Sequence, residues 1–340
     1  MTGWLPFDAG FDFEQVPAAS GVFLLDTGGE PYLNKSANLR RRLLRLLGPE
    51  EPGSKRLNLR TTTRALQYQL TGSAFETTVT LWQEARRVFP DSYRQRLRLR
   101  PPVMLKLNLD NEYPRCYPTR RLGRGPAQYF GPFPSRQAAE RFAAAFLDLF
   151  KIRRCVETIR PDPAHPGCIY GEMNMCLRPC QAAVSAEEYR QESERVRDFL
   201  ATQGDSVRRP VETERDLLSA NMDFEQAAQL HKRLEKIEGA LDAPELARKG
   251  GLAMDLERLH GVVVQRSALA GAVELFPVFR GFLLPRLSFS VAPTADGRSL
   301  DARLRETLAA VPLRPRGRRI EHLAILAKWF YRGSRQGELV

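Results

Sequence analysis

The sequence predicts an α+β fold, with short antiparallel strands and amphipathic helices in separate stretches. Three patterns carry this. The apolar run Gly21-Val22-Phe23-Leu24-Leu25 ends at Asp26-Thr27-Gly28-Gly29 and is followed by Pro31-Tyr32-Leu33, the signature of a β-hairpin. After Ser135, the residues Ala139, Phe142, Ala143, Phe146, Leu149 and Phe150 recur at spacings of three and four, as on the buried face of a helix. Residues 210–241 read as a helical hairpin, and Val262 to Val291 returns to strand-like patterning.

The elements follow in order. From Asn38 to Leu47 a helix places Leu39, Leu43, Leu46 and Leu47 on one face, with Arg40, Arg41, Arg42 and Arg45 around it, and Gly48-Pro49 ends it. Residues 50–56 read as a loop, 74–88 as a second helix and Pro101 to Leu109 as a strand. Gly125 to Pro134, rich in Gly and Pro, reads as an ordered loop. Ser185 with Glu188 forms a capping box that opens a helix. Pro210 reads as the start of the next helix, and Asp223 with Gln226 opens its partner. A turn at Arg280-Gly281 divides the later strands, and helices near 301–310 and 320–331 follow. The pattern divides the chain into 1–100, a small antiparallel sheet with flanking helices; 101–184, a strand, a helix and a Cys-rich metal region; 185–245, the helical hairpin; and 250–340, a β-hairpin plus helices.

Composition narrows the function. Hydrophobic residues make up 43% of the 340 and charged residues 27%, which excludes a disordered chain. No apolar run reaches the ~20 residues that span a bilayer, so no membrane partner is expected. Met1 to Gln15 has no Lys or Arg and carries Asp8, Asp12 and Glu14, unlike a secretory signal, and a cytoplasmic location follows. Lys and Arg exceed Asp and Glu by 52 to 40, giving +12 and a pI near 9.8, which favours a polyanionic partner. The charge is uneven. Residues 35–64 and 86–124 carry net +7 and +8, whereas 185–257 carry −6. Arg40, Arg41, Arg45, Lys55 and Arg56 are therefore candidate DNA contacts, and the acidic middle suits a protein partner.

Cys155, Cys168, Cys176 and Cys180 lie within 26 residues, spaced C-x12-C-x7-C-x3-C. Four neighbouring thiols without a secretory signal point to metal rather than disulfides. The set fits zinc or an iron–sulfur cluster, and the lack of paired C-x2-C knuckles favours iron–sulfur. His165 is a further potential ligand. Cys116 stands apart and reads as a core residue of a strand.

In order, the segments GVF and YLNKS, NLRRRL, EYP, YFGPF, RRC, CLRPC and MDFEQAAQL resemble the first half of the UvrC family, the nuclease component of the bacterial UvrABC excinuclease of nucleotide excision repair. The resemblance covers about residues 16–242 and rests on the ordered set. It implies a GIY-YIG nuclease domain over 1–100 that binds damaged duplex DNA. It implies a [4Fe–4S] cluster on the four cysteines, with zinc as the alternative. It also implies a UVR-like hairpin docking on UvrB, the family's excinuclease partner, through Met222, Phe224, Glu225 and Ala228.

Carried over residue by residue, the resemblance describes a degenerate nuclease site. Tyr32, Lys35 and Arg42 match the second tyrosine, the phosphate-binding lysine and the helix arginine. Phe23 stands where the family has a tyrosine that handles the water proton, and Phe can neither exchange a proton nor donate a hydrogen bond. Asn34 replaces a usual glycine, Leu46 a further tyrosine and Tyr93 an asparagine. The register that fits Glu76 and Pro90 puts Leu81 at the metal-binding glutamate, and a Leu cannot hold Mg2+, which demands oxygen ligands. Glu84, three residues along the same helix, is the candidate substitute. Mg2+ belongs to the site only if it is active.

Gly261 to Val291 resembles the opening hairpin of the family's RNase H-like second nuclease, with Asp255 near its first acid. The 85 residues after Asp255 are too few for the rest of that domain and its helix-hairpin-helix pair. Arg314, Arg316, Arg318 and Arg319 read as phosphate contacts or as a solvated basic loop. The resulting expectation is a DNA-binding excision-repair protein with weak or no incision of its own. The alternatives are an active nuclease cutting only on the 3′ side, with Glu84 as ligand, and a non-catalytic adaptor for UvrB.

Overall fold

A computed structural model describes every residue except 51–52, 54, 124, 126, 243–254, 294–297, 314–316 and 334, so Arg314 and Arg316 lie outside the described residues. In chain order the elements are β1 (Leu5–Pro6), β2 (Gly21–Asp26), β3 (Tyr32–Ser36), α1 (Leu39–Leu47), β4 (Ala65–Leu70), α2 (Ala74–Val88) and α3 (Tyr93–Leu97). Next come β5 (Val103–Leu107), β6 (Cys116–Thr119), β7 (Gln128–Phe133), α4 (Arg136–Leu147), α5 (Ile169–Glu172), α6 (Ala186–Ala201), α7 (Asp205–Ala220) and α8 (Phe224–Leu241). The last are β8 (Gly261–Arg266), β9 (Ala272–Phe279), β10 (Phe282–Leu283), β11 (Leu287–Ser290), α9 (Leu300–Ala309), α10 (Arg319–Phe330) and β12 (Glu338–Leu339). The class is α+β, and the three sheets among the described residues are antiparallel. No helix among the described residues is long and apolar enough to cross a membrane.

The chain divides into two units: residues 1–100, 261–317 and 332–340 form one, and 101–260 with 318–331 form the other. The C-terminal stretch is thus shared between them.

In the first unit β2 lies between β3 and β4, with β1 outside β4. Phe23 and Leu25 project from one face of β2 into a cluster with Leu39, Leu43, Leu46 and Leu47 of α1. Asn38 caps α1 by accepting the Arg41 N–H, which fixes the arginines opposite that apolar stripe. Strand β4 breaks simple alternation because Leu66 and Gln67 are both buried, so it is poorly legible in the sequence. A second sheet runs β10-β9-β8-β12, with β11 beside β9. Arg280 and Gly281 both take positive φ in the turn between β9 and β10.

This second sheet meets the start of α2. Phe75 packs edge-on to Phe276, their ring centroids 5.0 Å apart. A Cβ on Gly72 would come within 2.3 Å of the Arg266 carbonyl oxygen, so only glycine permits that approach. Buried Glu76 accepts the Gly72 N–H at 2.7 Å and pairs with Arg286. Burial pushes the Glu76 carboxyl above its usual range, against the opposing pull of the Gly72 N–H and Arg286.

In the second unit α4 packs on the sheet β6-β5-β7, and its Phe142 and Phe146 join Phe199 and Ile237 in one core. Residues 128–133 form an edge strand rather than a loop. The β5–β7 pairing is irregular between Val103 and Leu105, and an edge strand tolerates Pro132, which has no N–H. Helix α7 starts at Asp205, a turn before Pro210. Asp205 holds this extra turn through ion pairs to Arg208 and Arg209, each at 2.8 Å. Cys116 is buried in β6, and burial pushes its thiol up to about 12.

Candidate phosphate site and cysteine cavity

Around Tyr32 the hairpin and α1 bring together groups that are ten residues apart. The Tyr32 hydroxyl accepts from Asn34 Nδ2 at 2.9 Å and from Arg42 Nη2 at 3.3 Å. Lys35, exposed and next on β3, donates its N–H to Asn34 Oδ1 at 2.8 Å. Phe23 backs the Tyr32 ring, with centroids 6.1 Å apart, and is fully buried, as is Leu46. These two positions belong to the core. Arg41 and Arg45 are exposed on α1, and Lys55 and Arg56 are exposed beyond it. Arg40 instead donates to the Val16 carbonyl at 2.8 Å and pairs with Glu14, so it fastens the N-terminal segment to α1.

Helices α2 and α3 carry the remaining positions. Leu81 is half-buried. Glu84 is held by Arg87 of the same helix at 2.7 Å. The buried Tyr93 ring lies 5.2 Å from the Arg94 guanidinium, whose Nε donates to the Tyr93 hydroxyl at 3.1 Å.

In the second unit Cys155, Cys168, Cys176 and Cys180 line one small cavity. None is in a disulfide. Burial, and then repulsion from neighbouring thiols, pushes Cys176 and Cys180 above the usual thiol range, and the Arg178 N–H opposes this at Cys176. Buried Arg153 spans the rim. Its Nε donates to the Tyr113 carbonyl at 2.8 Å, and Nη1 reaches the carbonyls of Glu157 at 2.7 Å and Cys155 at 3.3 Å. The same nitrogen lies 3.7 Å from Cys155 Sγ. Its backbone N–H donates to the Tyr189 hydroxyl, which donates to the Pro114 carbonyl. His165 Nδ1 accepts the Gly167 N–H within its own loop.

The donor chemistry of the cavity suits a thiolate-ligated group: four thiols, no carboxylate and adjacent positive charge. Among the described residues no three His, Cys, Asp or Glu side chains are arranged to hold a single metal ion. A lone zinc ion would require four sulfurs at about 2.3 Å from one centre.

Residues 103–199, which run from β5 through α6 and include this cavity, match the family model "UvrC/Cho excinuclease, middle domain". The chain is 26% identical to UvrABC system protein C of Methanothermobacter thermautotrophicus over 305 residues, 89% of this chain and 50% of that protein. It is 28% identical to that of Carboxydothermus hydrogenoformans over 281 residues, 80% and 44% of the two chains. With that of Escherichia coli O139:H28 it shares 27% over 296 residues, 81% and 47%. The chain is a UvrC-family homologue. It spans about half the length of the UvrC relatives it matches. No solved structure matches it.

In this UvrC homologue the α7–α8 hairpin ends in an apolar tip: Met222 is 76% and Phe224 66% exposed, with Glu225 and Ala228 exposed beside them. Met222 takes positive φ, and Asp223 caps α8 by accepting the Gln226 N–H. Asp255 caps a short 3-10 turn through the Glu257 N–H and lies 3.9 Å from Arg258, while Arg319 pairs with Glu257 at 2.6 Å. Arg318 is exposed. Sequence reasoning used Glu76 to set a register and Arg153 within the RRC segment, but did not foresee the Glu76–Arg286 pair or the bracing role of Arg153. Arg153 had one signal, its place two residues before a candidate ligand cysteine. Glu76 and Arg286 are 210 residues apart, with no local signal.

Proposed function

We propose that this chain is a DNA-binding protein of nucleotide excision repair whose degenerate GIY-YIG-like site grips phosphates and cuts weakly or not at all. The observation that carries this is the Tyr32–Arg42 contact beside Lys35, set against Leu81 at the metal-ligand position. Phosphodiester hydrolysis needs an activated water, a metal on the phosphate and cations that hold it in line. The chain keeps the cations. Phe23 replaces the proton handler, and Glu84, the substitute ligand, is engaged by Arg87.

The four cysteines Cys155, Cys168, Cys176 and Cys180 would hold a [4Fe–4S] cluster, which when bound supplies a redox-active cross-link of their loop. The exposed tip at Met222, Phe224, Glu225 and Ala228 would dock on the excinuclease component UvrB. The same exposed tip supports the adaptor reading, in which the basic unit only tethers DNA.

A plasmid-nicking assay with Mg2+ or Mn2+, alone and with UvrA and UvrB, tests incision. DNA binding without nicking is expected, and robust nicking abolished by Arg42→Ala would overturn the reading. Protein purified without oxygen should be brown, absorb broadly near about 400 nm and contain iron; colourless protein with one zinc would remove the cluster. Capture by UvrB should be lost in Phe224→Asp, and unchanged capture would remove the hairpin.

A further inference from the structure

We infer that Asn34 is a positioning residue that makes the Tyr32 hydroxyl a hydrogen-bond donor to a phosphodiester oxygen. The inference rests on the DNA-binding reading above. The Lys35 N–H occupies Asn34 Oδ1, and this decides which end of the amide faces the phenol. Asn34 Nδ2 therefore donates to the Tyr32 oxygen at 2.9 Å. Arg42 Nη2 donates to the same oxygen at 3.3 Å. Both nitrogens only donate, and a phenolic oxygen has two acceptor positions and one proton. With both acceptor positions taken, the proton points to a third partner.

Two consequences follow. The phenol oxygen, with both acceptor positions filled, has no room for a further donor. Its donor proton lies beside the Arg42 guanidinium. The acceptor that complements a fixed O–H beside a guanidinium is an anionic oxygen, as on the backbone of a nucleic acid. Tyr32 and Asn34 share a face of β3 because they are two residues apart, and the buried Phe23 ring behind Tyr32 fixes the phenol. A glycine at position 34 has no side chain to set this donor direction.

The test is fluorescence anisotropy with a short fluorescein-labelled DNA duplex, in EDTA, across a salt series. Asn34→Ala and Tyr32→Phe should each weaken binding about fivefold. Once Tyr32 is Phe, adding Asn34→Ala should cost less than about twofold, because Asn34 acts through the hydroxyl. Neither change removes charge, so the salt slope should hold, whereas Arg42→Gln should lower it by about one. Asn34→Asp, the same size, keeps the Lys35 N–H bond but offers Tyr32 an acceptor beside the DNA. It should weaken binding about tenfold or more, and it serves if Asn34→Ala is unstable. Additive effects of Asn34→Ala and Tyr32→Phe, or wild-type affinity in Asn34→Asp, would overturn the inference alone. A wild-type protein that does not bind the duplex would overturn it together with the DNA-binding reading.

Discussion

Phe23 and Arg153 are both buried beside groups assigned a function, and the two regions differ in what surrounds those groups. Behind Tyr32 the buried neighbours are hydrocarbon, and the polar groups Asn34 and Arg42 sit toward the surface. Beside Cys155 the buried neighbour is a guanidinium with three carbonyl acceptors and a sulfur within reach. The first arrangement is easily kept, because a Phe or Leu at an enclosed position adds apolar burial and needs no partner. The second persists only if every donor is matched, since an unmatched buried charge is strongly destabilising. The contrast shows why apolar side chains merge into a core freely, whereas a loop braced by a buried guanidinium must retain its polar partners.

Substitutions can break or sharpen this contrast, and the largest effect is expected at Arg153. Arg153→Met removes the cation and leaves the Tyr113, Cys155 and Glu157 carbonyls unmatched. Urea unfolding should show a loss of about 3 kcal/mol or more, and iron content should fall with it. Unchanged stability would make the second region as forgiving as the first.

Arg286→Met tests whether the first unit has a polar joint of its own, since it strands buried Glu76. A loss of about 2–3 kcal/mol is expected. The pH dependence has a definite sign. The folded carboxyl lies above 4.5, so the folded state holds its proton to higher pH than the unfolded chain. The Glu76 contribution is fully present below pH 4.5 and is lost as the pH rises through the raised value. Glu76→Gln should flatten stability against pH in that window, and an unchanged profile would refute the assignment.

Phe23→Tyr asks whether a hydroxyl at this position changes the site. It adds a hydroxyl at a fully buried position and should cost about 1–2 kcal/mol. On the proposed reading nicking should not rise above that of the wild type, and a rise would mean that Phe23 alone limits the site. The smallest structural effect is expected at Arg45. Arg45→Gln should leave stability within about 0.5 kcal/mol, while the salt slope of DNA binding falls by about one.

Much of the local structure was legible. The caps at Asn38, Ser135, Ser185 and Asp223 mark helix starts because a side-chain oxygen three residues upstream of an N–H is a short-range signal. The four cysteines were legible as a set, and the structure gathers them around one cavity. Strand β4 was missed because buried Gln67 breaks the alternation. Strand β7 was misread because Gly131 and Pro132 look like a loop until the edge of a sheet accommodates them. The start of α7 was misplaced because Pro210 marks a first turn only when nothing upstream is already helical.

The amino-acid sequence by itself determined the α+β class, most helix ends, the basic and acidic segments and the identity of the candidate ligands. These depend on neighbours within a few residues and on charge. Only the tertiary structure decided that Arg40 fastens a backbone segment, that Phe23 is wholly core, that Arg153 braces the cysteine loop and that Glu76 meets Arg286. It also decided how residues 261–340 are divided between the two units. Each of these depends on which distant groups share a space from which water is excluded. There a carboxylate, a guanidinium or an amide must take whatever partner the fold brings to it.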